Sequence, residues 1–369
     1  SGTFARLLCG TLAGNIKNVK VTGDSSLSKR DFSRVVKPLE LFGINIKTKK
    51  DKLPIIIKGS KYLRPIFYKE EKGSAQVKSA ILLASLNTPG QTIVKSKISR
   101  NHTELMFKNC LKIPLKLKKY KNYEIIKVEG KKNYKGFNYK IPGDISSAAF
   151  FIALTILANK SYLKMKNINY NKSRIGIIEI LKRMRAKIKI TNIKNYKGEK
   201  VADISVTSSK NLTGINCPKS LNTKSIDEFL IIFLVCAKAK GISKFIGINE
   251  LRQKESDRLK IAARFLKSIG IKVDEKFDSL KIYGNPKLKI KKQVIIKNFL
   301  KDHRVFMMSC VAALTLGGDF KIYDKKSINS SFPNFLDLLK KLGAKIDNIH
   351  LNWQNIIKNQ MKLEDSYLD

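Results

Sequence analysis

Five short segments of the chain are apolar on nearly every side, and each begins with a small or acidic polar motif. They start near Gly2, Ser74, Asp144, Asp227 and Asp302. A helix that is apolar all round is buried rather than laid on a surface, so each segment predicts a buried helix. Successive starts are about 70 to 85 residues apart, which indicates an internal repeat.

A second helix with one apolar face follows each buried helix, and a short β-like run follows most of these. The predicted amphipathic helices are 30–42, 102–111, 173–184, 255–269 and 332–342. The β-like runs are 44–47, 186–190, 271–273 and 344–346. Helices that alternate with strands predict an α/β fold. Several buried helices with their N-termini in one region would also form an anion site, because unpaired N–H groups and positive dipole ends meet there.

The domain boundary is expected near Ile141. Residues 112–139, just before it, are rich in Lys, Tyr and Asn and have no firm periodicity. The predicted domains are therefore 1–140 and 141–346, followed by a tail of unknown role, 347–369, that contains Trp353.

The composition indicates a folded chain with room for two cores. It has 369 residues, of which 43% are hydrophobic. The longest apolar runs, 148–158 and 229–237, are too short to span a bilayer. The five cysteines are odd in number and far apart, and there are three histidines, so neither a disulfide framework nor a zinc site is expected. We expect a reduced, cytoplasmic protein that does not enter a membrane.

The strong positive charge has two interpretations. Lys and Arg total 74 against 29 acidic residues, for a net charge of +45. Such a balance is typical of nucleic-acid binding, but also of a chain in which lysine is simply common throughout. The lysines do not form one block, and aromatic residues do not alternate with them as on a stacking platform. Specific nucleic-acid binding is therefore not expected, although a basic field would steer small polyanionic substrates.

The most crowded charges lie in Asn249–Leu259, which reads Asn-Glu-Leu-Arg-Gln-Lys-Glu-Ser-Asp-Arg-Leu and leads into apolar residues at helical spacing. Lys254 and Arg258 are four apart, where like charges on a helix repel, and Arg252 is a third cation upstream. An anion with several oxygens would make this crowding favourable. Glu255, among the cations, could hold or exchange a proton. A solvated helix start of mixed charge is the commoner meaning of such a pattern.

The sequence Glu-Leu-Arg-x-Lys-Glu-Ser-Asp-Arg at 250–258 resembles a signature of the 5-enolpyruvylshikimate-3-phosphate (EPSP) synthase family, also called 3-phosphoshikimate 1-carboxyvinyltransferase. Further segments match the family in order: 1–6, 23–30, 73–84, 142–151, 226–229, 302–304 and 331–333. The resemblance implies the enolpyruvyl transferase fold, a two-domain inside-out α/β barrel of repeated βαβαββ units. About five of its six units would be present, and the missing one would be the first.

The resemblance also implies a reaction. The enolpyruvyl (carboxyvinyl) group of phosphoenolpyruvate would pass to the 5-hydroxyl of shikimate 3-phosphate, releasing phosphate, in the shikimate pathway to chorismate and the aromatic amino acids. A base must take the hydroxyl proton, an acid must protonate the methylene carbon, and cations must hold phosphates and carboxylates. No metal or organic cofactor is required. The partners would be these two small molecules, with no membrane or specific nucleic acid, and we expect a monomer.

Roles carried over to the second domain centre on the charged signature. Asp227 would be the base and would hold the shikimate hydroxyls, although a helix N-cap is the commoner role for such a residue. Glu255 would be the acid, Lys254 would contact the same region, and His303 is a third candidate whose alternative is a structural histidine. The remaining contacts would be Glu250 to shikimate 3-phosphate, and Arg258 and Arg304 to phosphoenolpyruvate.

Roles carried over to the first domain concern binding. The contacts to shikimate 3-phosphate would come from Ser74, Ala75, Gln76, Ser99 and Arg100. Ordinary helix capping is the alternative for the first three. Phosphoenolpyruvate would lie close to the backbone at Gly2, beside Gln76 and Lys58, where Lys58 stands roughly in place of a family arginine.

One family motif is not found. The first repeat of the family carries Lys-Ser-x-x-x-Arg, which binds both substrates, and this chain begins after that point. We therefore expect about one repeat, on the order of 80 residues, to be missing at the N-terminus. The 369-residue chain alone is expected to have little or no activity.

Two other functions stay open at this point. The sister family transfers enolpyruvyl to UDP-N-acetylglucosamine and uses a loop cysteine, but Cys110 and Cys217 are not in the expected motif. The third possibility is a non-catalytic, basic, nucleic-acid-binding remnant of the enzyme.

Overall fold

The structure is a computed structural model that describes residues 1–25, 27–131 and 133–346. The predicted tail, 347–369 with Trp353, lies outside the described residues. The chain divides into two units. Unit 1 is Ser1–Lys140 with Tyr196–Glu199, and unit 2 is Ile141–Asn195 with the chain from Lys200 onward. Each unit has its own cluster of buried apolar side chains.

In the part of the chain that the structure describes, unit 1 packs four α-helices against a three-stranded and a four-stranded sheet. Its helices are α1 (Gly2–Thr11), α2 (Ser33–Leu41), α3 (Ala75–Ser85) and α4 (His102–Asn109). Its strands are β1 (Asn18–Val21), β2 (Asn45–Lys49), β3 (Lys52–Lys58), β4 (Phe67–Glu70), β5 (Gln91–Lys97), β6 (Leu115–Lys119) and β7 (Tyr123–Glu129). The central strand β3 alternates strictly between exposed and buried positions, as expected for a sheet with one face on the core and one in water.

A buried ion cluster joins the helices of unit 1 to its larger sheet. The Lys78 ammonium on α3 lies 2.6 Å from a carboxylate oxygen of Glu104 on α4 and 2.7 Å from one of Glu124 on β7. All three side chains are buried. Because a buried charge without a partner is costly, this cluster fixes where α3 lies against its neighbours.

Unit 2 repeats the arrangement. Its helices are α5 (Ile145–Leu157), α6 (Gly176–Arg183), α7 (Asn222–Ser225), α8 (Phe229–Ala237), α9 (Arg258–Ser268), α10 (His303–Leu316) and α11 (Phe335–Lys341). Its strands are β8 (Tyr162–Asn169), β9 (Lys187–Tyr196), β10 (Glu199–Thr207), β11 (Gly241–Ile246), β12 (Val273–Glu275), β13 (Ser279–Gly284), β14 (Gln293–Ile296) and β15 (Asp319–Ile322). The adjoining ends of β9 and β10 belong to unit 1.

The predicted repeat is visible in the order of the strands. In the repeat from β4 to β7, β4 and β5 pair in parallel across α3, and β7 then lies between β5 and β6. The sheets β1-β3-β2, β8-β10-β9 and β11-β13-β12 have the same final hairpin, and β14 and β15 pair in parallel across α10. Parallel neighbours need a crossover, and the buried helix supplies it. The described residues thus contain five repeats of the predicted kind.

The helices predicted to be buried are α1, α3, α5, α8 and α10. For α1 the prediction is wrong, because only Gly2, Ala5, Cys9 and Gly10 are buried and Phe4 is exposed. In unit 2, α5, α8 and α10 contact one another. Every residue of α8 is buried, as its apolar sequence predicts. The amphipathic helices are α2, α4, α6, α9 and α11, each shorter than predicted. The predicted strand at 344–346 is wrong, because within the described residues it contains a bridge at Ile346 alone. No helix in the described part of the chain has both the length and the apolar character needed to cross a bilayer.

Candidate active site

Asp227 lies in the turn that joins α7 to α8. The sequence predicts it at a helix start, but α8 begins at Phe229 and its N-cap position is Glu228. Glu228 and not Asp227 therefore occupies the N-cap position of that helix. Its Oδ1 lies 3.9 Å from the Lys254 ammonium and 3.7 Å from Nη1 of Arg258. Two cations thus face one carboxylate oxygen.

The charged signature leads into a helix, as predicted, but that helix begins later than the predicted residue 255. Residues Asn249–Gln253 form a short 3-10 helix, the backbone is extended at Lys254, and α9 begins only at Arg258. Asp257 is the N-cap of α9, and its carboxylate accepts from the Lys260 N–H at 2.9 Å. An aspartate that bonds a nearby backbone N–H favours a helix boundary over helix interior. Lys254 and Arg258 consequently do not stack on one helical turn, and both approach Asp227 instead.

Arg252 is not part of this pair of cations. Its guanidinium donates to the Asp257 carboxylate at 2.9 Å and to the Glu275 carboxylate at 2.8 Å. It also donates to the backbone carbonyls of Lys276 and Phe277. These bonds tie the start of α9 to the β12–β13 hairpin. The sequence-based grouping of Arg252 with the anion-binding cations is therefore wrong, because its donors are already used.

Arg258 and Asp302 form a buried ion pair at the centre of the candidate site. Their side chains are 1% and 0% exposed, with Nε and Oδ2 2.9 Å apart and a second bond from Nη2 to Oδ1 at 3.2 Å. Burial alone would lower the pKa of Arg258, but Asp302, Glu255 and Asp227 outweigh it and raise that pKa. Burial would raise the pKa of Asp302, and Arg258 reverses this and lowers it to about 2. Both groups stay charged at neutral pH.

One donor of Arg258 remains available. Its Nη1 is buried and has no hydrogen-bond partner among the described residues. Nη2 donates to Glu255 at 2.6 Å, while Nε and Nη2 hold Asp302. A buried, unsatisfied N–H on a fixed cation is costly unless an anion accepts from it, so this atom marks a place for an oxyanion.

The N-terminus of α10 contributes His303 and Arg304. Asp302 is the N-cap, and its carboxylate accepts from the Arg304 backbone N–H at 3.0 Å. Burial lowers the pKa of His303 to about 4, and the neighbouring cations Arg304 and Arg258 add to the effect. His303 is therefore a neutral hydrogen-bonding group at neutral pH. Burial would raise the pKa of Asp144, but Arg174 and Arg304 lower it, which places the Arg304 charge near that carboxylate.

The two glutamates of the signature differ in their surroundings. Glu255 is partly buried, and its carboxylate accepts from Arg258. Glu250 is exposed and accepts from the Lys254 ammonium at 3.2 Å. The structure thus joins Asp227, Lys254, Glu255, Arg258 and Asp302 in one network, which Glu250 extends towards solvent.

In unit 1 the starts of α1 and α3 lie side by side. Gln76 accepts from Nη1 of Arg6 at 2.8 Å and donates to the Thr3 hydroxyl at 2.8 Å. A Cβ at Gly2 would lie 2.6 Å from Nη1 of Arg30 and 3.4 Å from Nη1 of Arg6. Glycine therefore leaves room between two guanidinium groups, where an anion could approach the backbone.

The other predicted residues of unit 1 are less closely joined. Ser74 is the N-cap of α3 and its hydroxyl accepts from the Val77 N–H at 3.4 Å, while Ala75 is the first residue of that helix. Ser99 and Arg100 lie in the loop between β5 and α4. Lys58 ends β3 with its side chain exposed. Their binding roles stay predictions.

Several residues that organise the site carry no role in the sequence-based prediction. Asp302 and Ser256 lie inside matched motifs, and the bond from the Ser256 hydroxyl to the Asp302 carboxylate is 2.8 Å long. An acidic residue just before a buried helix is the signal that could identify Asp302. Arg6 and Arg30 stand in matched segments as well, but a single sequence does not indicate that both reach Gly2.

Comparison with known proteins identifies the family to which this chain belongs. A family model described as EPSP synthase (3-phosphoshikimate 1-carboxyvinyltransferase) matches residues 1–348. The chain belongs to the EPSP synthase family. It is thus an enzyme of the enolpyruvyl transferase fold, and the comparisons favour the shikimate enzyme over the UDP-sugar transferase and over a nucleic-acid-binding remnant.

Similar proteins cover most of the chain. The 3-phosphoshikimate 1-carboxyvinyltransferase of Caldicellulosiruptor bescii is 41% identical over 350 residues, which are 94% of this chain and 79% of that protein. That of Endomicrobium trichonymphae is 38% identical over 343 residues, 93% of this chain and 78% of that protein. An EPSP synthase structure from Acinetobacter baumannii superposes with a TM-score of 0.78 at 35% identity, over 92% of this chain and 77% of the other. The enolpyruvyl transferase NikO from Streptomyces tendae, at 13% identity and a TM-score of 0.67 over 93% of this chain and 76% of the other, shares the fold.

Proposed function

We propose that this member of the EPSP synthase family transfers the enolpyruvyl group of phosphoenolpyruvate to the 5-hydroxyl of shikimate 3-phosphate, and that the network around Asp227 and Arg258 carries out the chemistry. One observation supports the proposal most directly. Nη1 of the buried Arg258 has no hydrogen-bond partner among the described residues. This nitrogen and the Lys254 ammonium lie 3.7 Å and 3.9 Å from Oδ1 of Asp227. A fixed base beside fixed cations is what an addition between a hydroxyl and an anionic enol phosphate requires.

Asp227 takes the proton of the 5-hydroxyl as the oxygen attacks carbon 2 of phosphoenolpyruvate. The nearby charges of Lys254 and Arg258 favour the ionised carboxylate, which is the form that accepts a proton. The same carboxylate accepts hydrogen bonds from the hydroxyls of shikimate 3-phosphate. Lys254 lies beside it and holds the oxygen as the bond to carbon 2 forms and later as phosphate leaves.

Glu255 gives a proton to the methylene carbon in the addition and takes one back in the elimination. It is partly exposed and in contact with Arg258, so it can exchange protons with water yet stay oriented. His303, neutral at neutral pH, is a hydrogen-bond partner for the tetrahedral intermediate rather than a cation. In the full cycle the methylene regains its original state, and the 5-hydroxyl proton passes from Asp227 to the bridging oxygen of phosphoenolpyruvate as that oxygen leaves with inorganic phosphate.

Arginines hold phosphoenolpyruvate. Arg258 uses its remaining donor and Arg304 its guanidinium for the carboxylate and phosphate, because the planar fork suits paired oxygens. For phosphoenolpyruvate we also propose contacts at Gly2, Gln76 and Lys58.

Shikimate 3-phosphate is held by its phosphate and hydroxyls. Ser74, Ala75 and Gln76 bind its phosphate at the start of α3, where N–H groups and the helix dipole favour an anion. The other contacts we propose are Ser99, Arg100, Glu250, Lys254 and Asp227.

The wider setting follows from the same proposal. We propose a monomer that binds these two small molecules and no specific nucleic acid. A cytoplasmic location is supported by the five cysteines, which are all free thiols in the structure.

Replacement of the base tests the assignment. In the protein expressed from its complete coding sequence, Asp227→Asn is expected to lower kcat by about 10²- to 10⁴-fold, the usual range for a general base. The control is Asp278→Asn, which changes an exposed aspartate on the loop before β13 and should leave kcat unchanged. Phosphate release measures both. Wild-type turnover in Asp227→Asn would remove Asp227 from the mechanism.

A further inference from the structure

The start of α6 packs against the segment that carries Asp227. A Cβ added at Gly176, the first residue of α6, would overlap the Ser225 hydroxyl and lie 2.9 Å from the carbonyl carbon of Lys224. Both residues belong to α7, which ends two residues before Asp227. Glycine thus allows a backbone approach that fixes where the Asp227 turn begins.

A directed chain of hydrogen bonds also reaches this turn. Nη2 of Arg174, two residues before α6, donates to the Ser146 hydroxyl at 2.6 Å and to the Asp144 carboxylate at 3.0 Å. The Ser146 hydroxyl donates to the carboxylate of Glu228. A hydroxyl has a single proton, so accepting from Arg174 directs that proton to Glu228. Glu228 follows Asp227 directly in the chain.

The three residues of this hydrogen-bond chain are buried or largely buried. Ser146 and Glu228 are each 1% exposed, and Arg174 is largely buried. A buried carboxylate needs hydrogen-bond donors, and it is held in place by whichever donors it has. The Ser146 hydroxyl, which Arg174 orients, is therefore one of the contacts that fix the position of Glu228 and with it the backbone of the turn.

We propose that Arg174 is a positioning residue for the reaction. Through Ser146 and Glu228 it holds the turn at 226–228 so that the Asp227 carboxylate stays within reach of Lys254 and Arg258. Arg174 itself makes no contact with the reacting atoms in this scheme. The inference rests on the proposed role of Asp227 as the base.

The first experiment distinguishes the contribution of the planar guanidinium group of Arg174 from that of its positive charge. In the protein expressed from its complete coding sequence, Arg174→Met is expected to lower kcat by about 10- to 100-fold, because a displacement of about 1 Å at a reacting group can cost that much. The KM for phosphoenolpyruvate should change less than kcat, since the hydrogen bonds of Arg174 go to Asp144 and Ser146, neither of which is proposed to bind that substrate. Arg174→Lys keeps the charge but has no planar fork and should recover part of the loss. The matched control is Arg183→Met, an exposed arginine at the other end of α6, which should behave as wild type.

A double-mutant cycle then tests whether Arg174 acts through Asp227. If it does, Asp227→Ala and the double variant Asp227→Ala/Arg174→Met should share the same residual rate, because the base that Arg174 positions is already gone. If the two losses multiply, Arg174 works independently of Asp227 and the inference is overturned. Wild-type turnover in Asp227→Ala would instead refute the base assignment, so the two failures are distinguishable.

A smaller change covers the case in which Arg174→Met does not fold. Ser146→Ala removes one hydroxyl and leaves both charges in place. We expect kcat to fall to about a tenth of the wild-type value, and KM for phosphoenolpyruvate to stay unchanged. An unchanged kcat in a folded Ser146→Ala protein would overturn the proposal.

Discussion

Asp302 offers the sharpest test of how the candidate site is held together. It is 0% exposed and accepts hydrogen bonds from Arg258, from the Ser256 hydroxyl and from the backbone of Arg304. Asp302→Asn keeps the shape of the side chain but removes its charge and turns one acceptor into a donor. Arg258 would then face an amide instead of a carboxylate.

The expected loss of folding stability in Asp302→Asn follows from two estimates. At 2.9 Å and an effective dielectric constant of about 20, the gross attraction between unit charges is roughly 6 kcal/mol. The pKa of Asp302 falls from 3.8 to about 2, which corresponds to a stabilisation of the ionised form of about 2 kcal/mol. Glu255 and Asp227 partly compensate for the loss, so a destabilisation of about 3 to 5 kcal/mol is expected, as for other broken buried pairs.

The pH dependence has a defined sign. Because the folded pKa lies below the unfolded one, the stabilisation is fully present above about pH 4 and is lost as pH falls towards 2. Urea midpoints at pH 7 would measure the variant. The control is Asp274→Asn, which breaks an exposed pair with Lys281 and should cost less than about 1 kcal/mol. If Asp302→Asn lost no more stability than this control, the buried pair would not organise the site.

Three further predictions concern other parts of the molecule. Lys78→Met should destabilise unit 1 by about 3 to 5 kcal/mol, measured by urea unfolding, because Glu104 and Glu124 would be left buried without their cation. Because the pKa of His303 is lowered to about 4, its ring signals in NMR should stay constant between pH 6 and 8 and titrate only on acidification. Gln76→Ala should raise KM for phosphoenolpyruvate about tenfold in steady-state assays, through loss of its two hydrogen bonds at the proposed binding residues.

Each of these has an outcome that would contradict it. Lys69→Met, in an exposed ion pair with Glu71, is the control for Lys78, and equal midpoints for both variants would count against the buried cluster. A His303 titration near pH 6.5 would show that its imidazole is neither desolvated nor close to cations. An unchanged KM in Gln76→Ala would separate Gln76 from phosphoenolpyruvate binding.

The repeat and its buried helices could be predicted because their signals are local. Ser74, Asp144 and Asp302 each precede an apolar segment, and each accepts a hydrogen bond from the helix that follows. Capping residues and all-round apolar sequence depend on neighbours within one turn, so a single sequence contains them.

The details of the site could not be predicted, since they depend on partners distant in sequence. Nothing local indicates that Arg252 bonds Glu275, or that Arg258 bonds Asp302 44 positions away. The break at Lys254 arises because Asp257 caps α9, and a charge pattern alone does not distinguish a cap from a helix interior. The link from Arg174 to Glu228 likewise has no signal in the spacing of residues.

Phosphate release with alternative acceptors tests the central claim most directly. The protein expressed from its complete coding sequence would be given phosphoenolpyruvate with either shikimate 3-phosphate or UDP-N-acetylglucosamine. We predict turnover with shikimate 3-phosphate alone, and its loss in Asp227→Asn. Release with the UDP-sugar and not with shikimate 3-phosphate would contradict the proposed substrate.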